Sequence, residues 1–286
     1  MKYKILDLFS GIGGFSLGLE RAGFETVAFC EIEEYPRKVL AKHWPNVPIY
    51  EDVRNVTKKR LDADGIFPNV ICGGFPCQDI SLAGNQAGID GERSGLWGEL
   101  CRIIGEVRPD YAVVENVTAL ISGDSGRWFG RVLGDLASIG YDCEWHCISA
   151  SELGAHHHRD RVWIICYPTE LFSNGGNTNG KNSKSKISEP RDANCKNNLA
   201  HTISQRQQRQ GQHVKPLLAE AIKNWQAIDA QSGCISGVWS TEPELGRVAN
   251  GIPDRSHRLK GLGNAVVPQI PELIGRAIME YENSIK

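Results

Sequence analysis

Ile5-Leu6-Asp7-Leu8-Phe9-Ser10-Gly11-Ile12-Gly13-Gly14 runs from an apolar segment into a glycine-rich break. Residues 15–22 then carry apolar side chains at helical spacing. Strand, glycine loop and helix in that order open an α/β sheet. Such a loop lets backbone N–H groups and a helix amino terminus approach a ligand closely. A second apolar run, Thr26-Val27-Ala28-Phe29-Cys30, ends in Glu31. A carboxylate there accepts hydrogen bonds from ribose hydroxyls. Gly11 and Gly13 fit two places of the dinucleotide fingerprint G-x-G-x-x-G, but its third place is Ser16. The pattern therefore fits adenosine and ribose without a pyrophosphate cradle. A turn used only for helix–strand packing is the competing reading.

The unit repeats along the chain. Residues 34–41 read as a helix, and Val47-Pro48-Ile49-Tyr50 leads into Glu51-Asp52-Val53. Asp52 reads better as the cap of a short turn than as a partner for an adenine amino group. Val70-Ile71-Cys72 reads as a strand leaving the sheet into Gly73-Gly74-Phe75-Pro76-Cys77-Gln78-Asp79-Ile80-Ser81. Cys77 thus follows a stiffening proline at the carboxyl end of a strand, where open α/β sheets place their chemistry. A buried structural thiol is the commoner fate of a single cysteine. Residues 82–91 are polar and glycine-rich, a candidate mobile loop, and residues 96–107 are helix-like.

Tyr111-Ala112-Val113-Val114 is the next strand, with Glu115-Asn116-Val117 at its end. A carboxyl group near a thiol in a semi-buried loop has a raised pKa and serves as proton donor or hydrogen-bond partner. The alternative for Glu115 is a capping or salt-bridged carboxylate. Residues 129–138 read as a helix and residues 141–148 as an alternating strand. His156-His157-His158-Arg159-Asp160-Arg161 then precedes the apolar strand Val162-Trp163-Ile164-Ile165-Cys166. Three consecutive histidines on a strand cannot all face one metal, so no metal site is expected. Arg159 and Arg161 share the strand period of two. Two guanidinium groups on one side suit a phosphate or a carbonyl oxygen, unless they belong to a salt-bridged edge.

The chain has 286 residues, 41% hydrophobic and 23% charged, with a formal net charge of -2. Its charge is unevenly placed. Residues 171–215 hold eight basic and two acidic side chains, whereas the remainder holds 24 basic and 32 acidic ones. That segment is rich in Asn, Ser, Gly, Lys and Gln, which is loop-rich insertion rather than core. A locally basic region in an acidic protein points to one face for a polyanion. The nine cysteines show no paired framework, so reduced thiols are expected. No secretory signal opens the chain and no stretch suits a membrane, so a cytoplasmic protein is expected. Residues 217–228 read as a helix, and apolar patterning returns at residues 238–239 and 245–248. Residues 271–281 form an amphipathic helix that must dock on the first domain.

Taken together, these motifs resemble the DNA (cytosine-5) methyltransferase family. Asp7-Leu8-Phe9-Ser10-Gly11-Ile12-Gly13-Gly14 is similar to its cofactor motif, Pro76-Cys77-Gln78 to its nucleophile motif and Glu115-Asn116-Val117 to its glutamate motif. His157-His158-Arg159-Asp160-Arg161 resembles its Gln-x-Arg-x-Arg motif, with His157 in place of glutamine. Gly263-Asn264-Ala265-Val266-Val267-Pro268 resembles its last motif. The matches follow family order and reach both ends of the chain.

The resemblance implies a doubly wound, Rossmann-like α/β methyltransferase fold with a small, loop-rich target-recognition domain. Residues 1–167 would be the catalytic domain, 168–255 the recognition region and 256–286 a segment returning to the catalytic domain. It further implies methyl transfer from S-adenosyl-L-methionine to C5 of cytosine in double-stranded DNA, with the target base flipped out. Cys77 would attack C6 of the base, Glu115 would hold its N3 and N4 edge, Arg161 would contact its carbonyl and Arg159 would support the site. Phe9, Gly11, Gly13, Gly14, Glu31, Ile32, Asp52, Val53, Pro76, Leu96, Asn264 and Val266 would line the cofactor pocket. Residues 86–91 would close over the base. A monomer is expected, with a cognate restriction endonuclease as a potential partner. The rivals are an RNA cytosine methyltransferase, a nucleotide-dependent oxidoreductase and a non-catalytic DNA-binding homologue.

Overall fold

The short apolar runs become strands of a single seven-stranded sheet. The structure, a computed structural model, describes residues 2–76, 96–169 and 255–285. Its strands are β1 (Lys4–Leu8), β2 (Glu25–Cys30), β3 (Ile49–Tyr50), β4 (Val70–Gly74), β5 (Tyr111–Val117), β6 (Tyr141–Ile148) and β7 (Arg161–Pro168). They lie in the order β3-β2-β1-β4-β5-β7-β6. The first five strands in that order form four parallel pairs, and β7 runs antiparallel to both β5 and β6. The chain winds one way from β1 and then the other, so the strand order reverses between β1 and β4. Open α/β sheets bind ligands in the crevice outside the strand ends at such a reversal.

Eight helices are described: α1 (Gly14–Arg21), α2 (Glu34–His43), α3 (Lys58–Ala63), α4 (Leu96–Val107), α5 (Ala119–Ser122), α6 (Arg127–Ser138), α7 (Arg255–Asn264) and α8 (Gln269–Ser284). Period-two alternation sends neighbouring strand residues to opposite faces. Leu6, Ile71, Val114 and Ile164 join Trp97 and Ile103 of α4 and Val132 of α6 on one face. Ile5, Val70, Val113 and Ile165 join Phe15 and Leu19 of α1 and Leu273 and Ile274 of α8 on the other. The amphipathic helix read near the carboxyl end is therefore covered by the first helix of the chain. Gly275 makes that contact close, since a Cβ there would lie 2.7 Å from Ala22 Cβ. Among the described residues, no helix is long and apolar enough to cross a membrane.

The structure corrects two details. Gly73 and Gly74 belong to β4 rather than to the loop after it, and neither has a positive φ. Close packing explains both: a Cβ on Gly73 would lie 2.6 Å from the Leu8 carbonyl oxygen. Arg159 precedes β7, so it does not share a strand with Arg161. The readings at residues 82–91, 217–228, 238–239 and 245–248, and Cys77 itself, lie outside the described residues.

Candidate active site

The glycine loop is held by its own turn and by the next strand. Phe9, Gly11 and Gly13 all take positive φ, at 55°, 52° and 88°. For Phe9 that backbone is strained, and such strain gathers where a loop must present its backbone to something. Ser10 fixes the turn: its Oγ donates to the Asp7 carbonyl at 2.6 Å and accepts from Cys30 N–H at 3.2 Å. The Gly11 N–H donates to Glu31 Oε2 at 2.7 Å, and Glu33 N–H donates to Oε1 at 2.8 Å. Glu31 is buried, which pushes its pKa up; the two amides oppose that rise. A Cβ on Gly11 would meet nothing within 4 Å, so open space adjoins the loop there.

Asp7 lies beneath this loop, wholly buried. Its Oδ2 accepts from the Ser16 hydroxyl at 2.8 Å and from the Ser16 amide at 3.3 Å. Burial drives its pKa up to about 7, against the lowering effect of the Ser16 bonds. The serine that broke the dinucleotide fingerprint thus has a structural task, holding the strand to the helix.

The remaining residues expected around the cofactor fall into three places. Glu31, Ile32, Asp52 and Val53 gather at the ends of β2 and β3, where the Glu31 amide donates to the Tyr50 carbonyl at 2.9 Å. Ile32 is 64% exposed, whereas Val53 is buried. Asp52 caps its turn as read from the sequence, accepting from Arg54 N–H at 2.9 Å. It also accepts from Arg54 Nε at 3.0 Å and Nη2 at 2.8 Å, and this pairing lowers its pKa. Pro76 and Leu96 are half-buried on either side of residues 77–95, and Phe9 and Leu96 pack against one core that includes Phe75 and Trp97. Asn264 is exposed and Val266 half-buried at the carboxyl end.

On the other side of the sheet reversal, β4, β5 and β7 set a charged pair. Register places Gly74 beside Glu115, and Val117 opposite Arg161. Glu115 Oε1 and Arg161 Nε lie 2.9 Å apart, with little of either side chain exposed. Burial raises the Glu115 pKa, and Arg161 and then Arg159 pull it back. Gly74 makes room for this carboxylate, since a Cβ there would sit 2.7 Å from Glu115 Oε2. Arg159 Nη1 donates to the Gly263 carbonyl at 2.8 Å. Burial and the neighbouring Arg161 lower the Arg159 pKa. Asn116 had no role in the sequence reading. Its Nδ2 donates to the Phe75 carbonyl at 3.2 Å, which ties β5 to the start of the segment leading into Cys77.

The carboxyl-terminal motif closes a cavity of about 690 Å³. Gly13, Gly14 and Leu17 form one wall, Thr118 and His157–Arg161 another, and Leu262 with Ala265–Pro268 a third. Gly14 permits this closure, since a Cβ on it would lie 2.5 Å from the Val266 carbonyl oxygen. The cavity brings Gly13 and Gly14, both arginines and Val266 together. Phe9, Gly11, Glu31, Ile32, Asp52, Val53, Pro76, Leu96, Glu115 and Asn264 are not among the residues lining it.

Comparison with known proteins extends this picture. A family model for the C-5 cytosine-specific DNA methylase matches residues 3–243. The Type II methyltransferase M2.BsuMI of Bacillus subtilis is 34% identical over 166 residues, covering 57% of this chain and 41% of that protein. M.HhaI of Haemophilus parahaemolyticus is 31% identical over 169 residues, covering 59% of this chain and 50% of that one. The matched stretch thus spans half or less of these relatives. A crystal structure of a candidate DNA modification methyltransferase encoded within an E. coli prophage shares the fold. Its TM-score is 0.62 at 17% identity, covering 99% of this chain and all of that one. A match from near the first strand to residue 243, over a sheet of the methyltransferase type, places the chain in the C-5 cytosine-specific DNA methylase family.

Proposed function

We propose that this chain transfers a methyl group from S-adenosyl-L-methionine to C5 of cytosine in double-stranded DNA. The observation that carries the reading is the Glu115–Arg161 pair at the end of β4, β5 and β7, beside the segment that leads into Cys77. Family membership supports it.

The strand-end crevice fits the proposed cofactor. Glu31 is a buried acceptor suited to ribose hydroxyls and unsuited to phosphates, and the space at Gly11 is open. Phe9, Gly11, Glu31, Ile32, Asp52, Val53, Pro76 and Leu96 would hold the nucleoside there. Gly13, Gly14, Asn264 and Val266 would face its other end. The cofactor supplies an electrophilic methyl group on a sulfonium.

The protein's part is to make a poor nucleophile attack. The Cys77 thiolate adds to C6 of the ring, and the electron pair released into the ring makes C5 nucleophilic. Glu115 holds the N3 and N4 edge as ring charge changes, from a carboxyl group that the Arg161 contact fixes in place. Arg161 faces the base carbonyl while anchoring Glu115, and Arg159 buttresses it from the Gly263 side. C5 would then take the methyl group as its bond to sulfur breaks and a neutral thioether leaves; a base would remove the C5 proton, which expels the Cys77 thiolate and restores the aromatic ring. Because C6 is buried in a duplex, the base must swing out of the stack first. The basic residues of 168–255 would hold the DNA backbone as the recognition region, on a monomer. The Type II names of the relatives make a cognate restriction endonuclease a fitting partner.

Transfer of labelled methyl from S-adenosylmethionine to duplex DNA tests the reading, with Cys77→Ser alongside. Label in DNA for the wild type and none for the variant is the expected pair. Undiminished transfer by Cys77→Ser would remove the nucleophile. Preference for structured RNA, or tight binding of NAD alone, would overturn the substrate or the cofactor.

A further inference from the structure

Arg102 on α4 takes no part in the site above, yet it carries an unusual set of bonds. Nε donates to Glu99 Oε2 at 2.9 Å and Nη1 donates to Glu106 Oε1 at 2.8 Å, one helical turn away on either side. Those two pairs would satisfy a surface helix. Nη2 does more: besides reaching Glu99 at 2.6 Å, it donates to the Val56 carbonyl at 3.0 Å and lies 3.4 Å from that of Val53. The side chain is 30% exposed, so these bonds form in a partly desolvated cleft. Glu106 extends the grip, accepting from the Lys58 amide at the start of α3 at 3.1 Å.

The carbonyls that Arg102 holds bracket the turn Val53–Asn55. Asp52 caps that turn and Val53 is its buried member. Leu96 begins the same helix that carries Arg102. One guanidinium therefore spans from the Asp52–Val53 turn to the helix of Leu96. A lysine ammonium has the charge but not the planar fork that reaches two carboxylates and two carbonyls together.

We infer that Arg102 is a positioning residue for the cofactor, holding the two walls of the adenosine site at a fixed separation. The inference rests on the reading of that crevice as an S-adenosylmethionine site. The helix pairs alone would give only stability; the carbonyl bonds give Arg102 an effect on nucleoside affinity.

Calorimetry on the full chain separates the possibilities, with S-adenosylmethionine, adenosine and a duplex oligonucleotide as ligands. Failure of the wild type to bind S-adenosylmethionine would defeat the cofactor reading itself, independently of Arg102. With the wild type binding, Arg102→Gln is expected to weaken S-adenosylmethionine about tenfold or more, the loss of one to two charge-assisted bonds. Adenosine should weaken in parallel, and duplex affinity should stay within about twofold. In turnover, KM for the cofactor should rise while kcat holds. Arg102→Lys should fall between the two, and it serves as the decisive variant if Arg102→Gln does not fold. Cofactor affinity equal to wild type in the folded variant would overturn the inference. So would a loss for S-adenosylmethionine that adenosine does not share, or an equal loss of cofactor and DNA affinity.

Discussion

The two sides of the strand reversal are assembled differently. On the β1–β3 side, the glycine loop is held by main-chain groups at most 20 positions away: Ser10 to Asp7 and Cys30, and Glu31 to Gly11 and Glu33. On the β4–β5–β7 side, an ion pair joins Glu115 to Arg161, and Arg159 reaches Gly263, 104 positions away. The first side is a contiguous βαβ unit whose geometry the backbone largely dictates. The second depends on a few charged side chains and on the return of the carboxyl-terminal segment. Loss of one side chain should therefore be local on the first side and should propagate on the second.

The largest expected effect breaks the second side. Glu115→Gln removes the charge facing Arg161 and the group proposed to hold the base edge. Methyl transfer should fall about 10²- to 10⁴-fold, the usual contribution of a positioned acid–base group. Removing one partner of a buried pair costs up to about 3–5 kcal/mol, so chemical denaturation should show a marked loss, partly restored in Glu115→Gln with Arg161→Gln. Glu31→Gln is the matched change on the first side. It retains an amide oxygen for one of the two backbone donors and should cost about 1 kcal/mol. Equal stability losses at the two glutamates would erase the distinction.

Glycines sharpen the same contrast at a smaller scale. Gly14→Ala places a methyl 2.5 Å from the Val266 carbonyl oxygen, and backbone cannot step aside as a side-chain tip can. Overpacking of this kind costs about 1–3 kcal/mol and should displace the carboxyl-terminal segment from the cavity. Gly11→Ala meets empty space, and its penalty is only the left-handed backbone at φ 52°, about 1–2 kcal/mol. Denaturation midpoints for the two variants give the order, and cofactor affinity tells whether the cavity wall has moved.

The two sides also differed in how readable they were. The βαβ unit was legible because its information is local. Apolar runs with β-branched residues and glycines at a turn lie within a few residues of what they determine, and the acid at the strand end reaches back only 20 positions to Gly11. Helix α4 falls at residues 96–107 as its pattern requires. Gly73 and Gly74 were misplaced because their requirement comes from Leu8 and Glu115, on other strands. Arg159 and Arg161 were set on one strand by period alone, yet β7 begins only at Arg161. Asn116 stood in the glutamate motif without a task of its own, because its partner is a backbone carbonyl that no side-chain pattern encodes. Arg102 was hidden likewise: its helix pairs are visible at spacings of three and four, but its bonds to Val53 and Val56 exist only in the fold.

Asp7 gives the first side a pH dependence. Its folded pKa of about 7 lies above the ordinary carboxylate value, so the folded state binds the proton more tightly than the unfolded chain. The stability it contributes is full below about pH 4 and is lost as pH rises through about 7. Between these values its slope approaches about 1.4 kcal/mol per pH unit. Asp7→Asn keeps an oxygen for Ser16 without the titration. It should flatten the fall in stability over that window when unfolding is measured at several pH values. An unchanged slope would mean that Asp7 is ionised throughout.

The smallest effect lies where the two sides meet. Lys260 of α7 pairs with Glu33, just beyond the Glu31 turn, at 2.6 Å. Both side chains are about half exposed, so the pair should contribute only about 0.2–1 kcal/mol. Other contacts hold α7 at the same junction: the Tyr35 ring stacks on His257 at 5.8 Å, and Arg159 binds the Gly263 carbonyl. Lys260→Ala should therefore leave α7 docked, with a stability loss that disappears as salt shortens the screening length. A loss above about 2 kcal/mol that survives high salt would show a junction held by charge more than by packing. The carboxyl-terminal segment would then depend on the β2 turn for its docking.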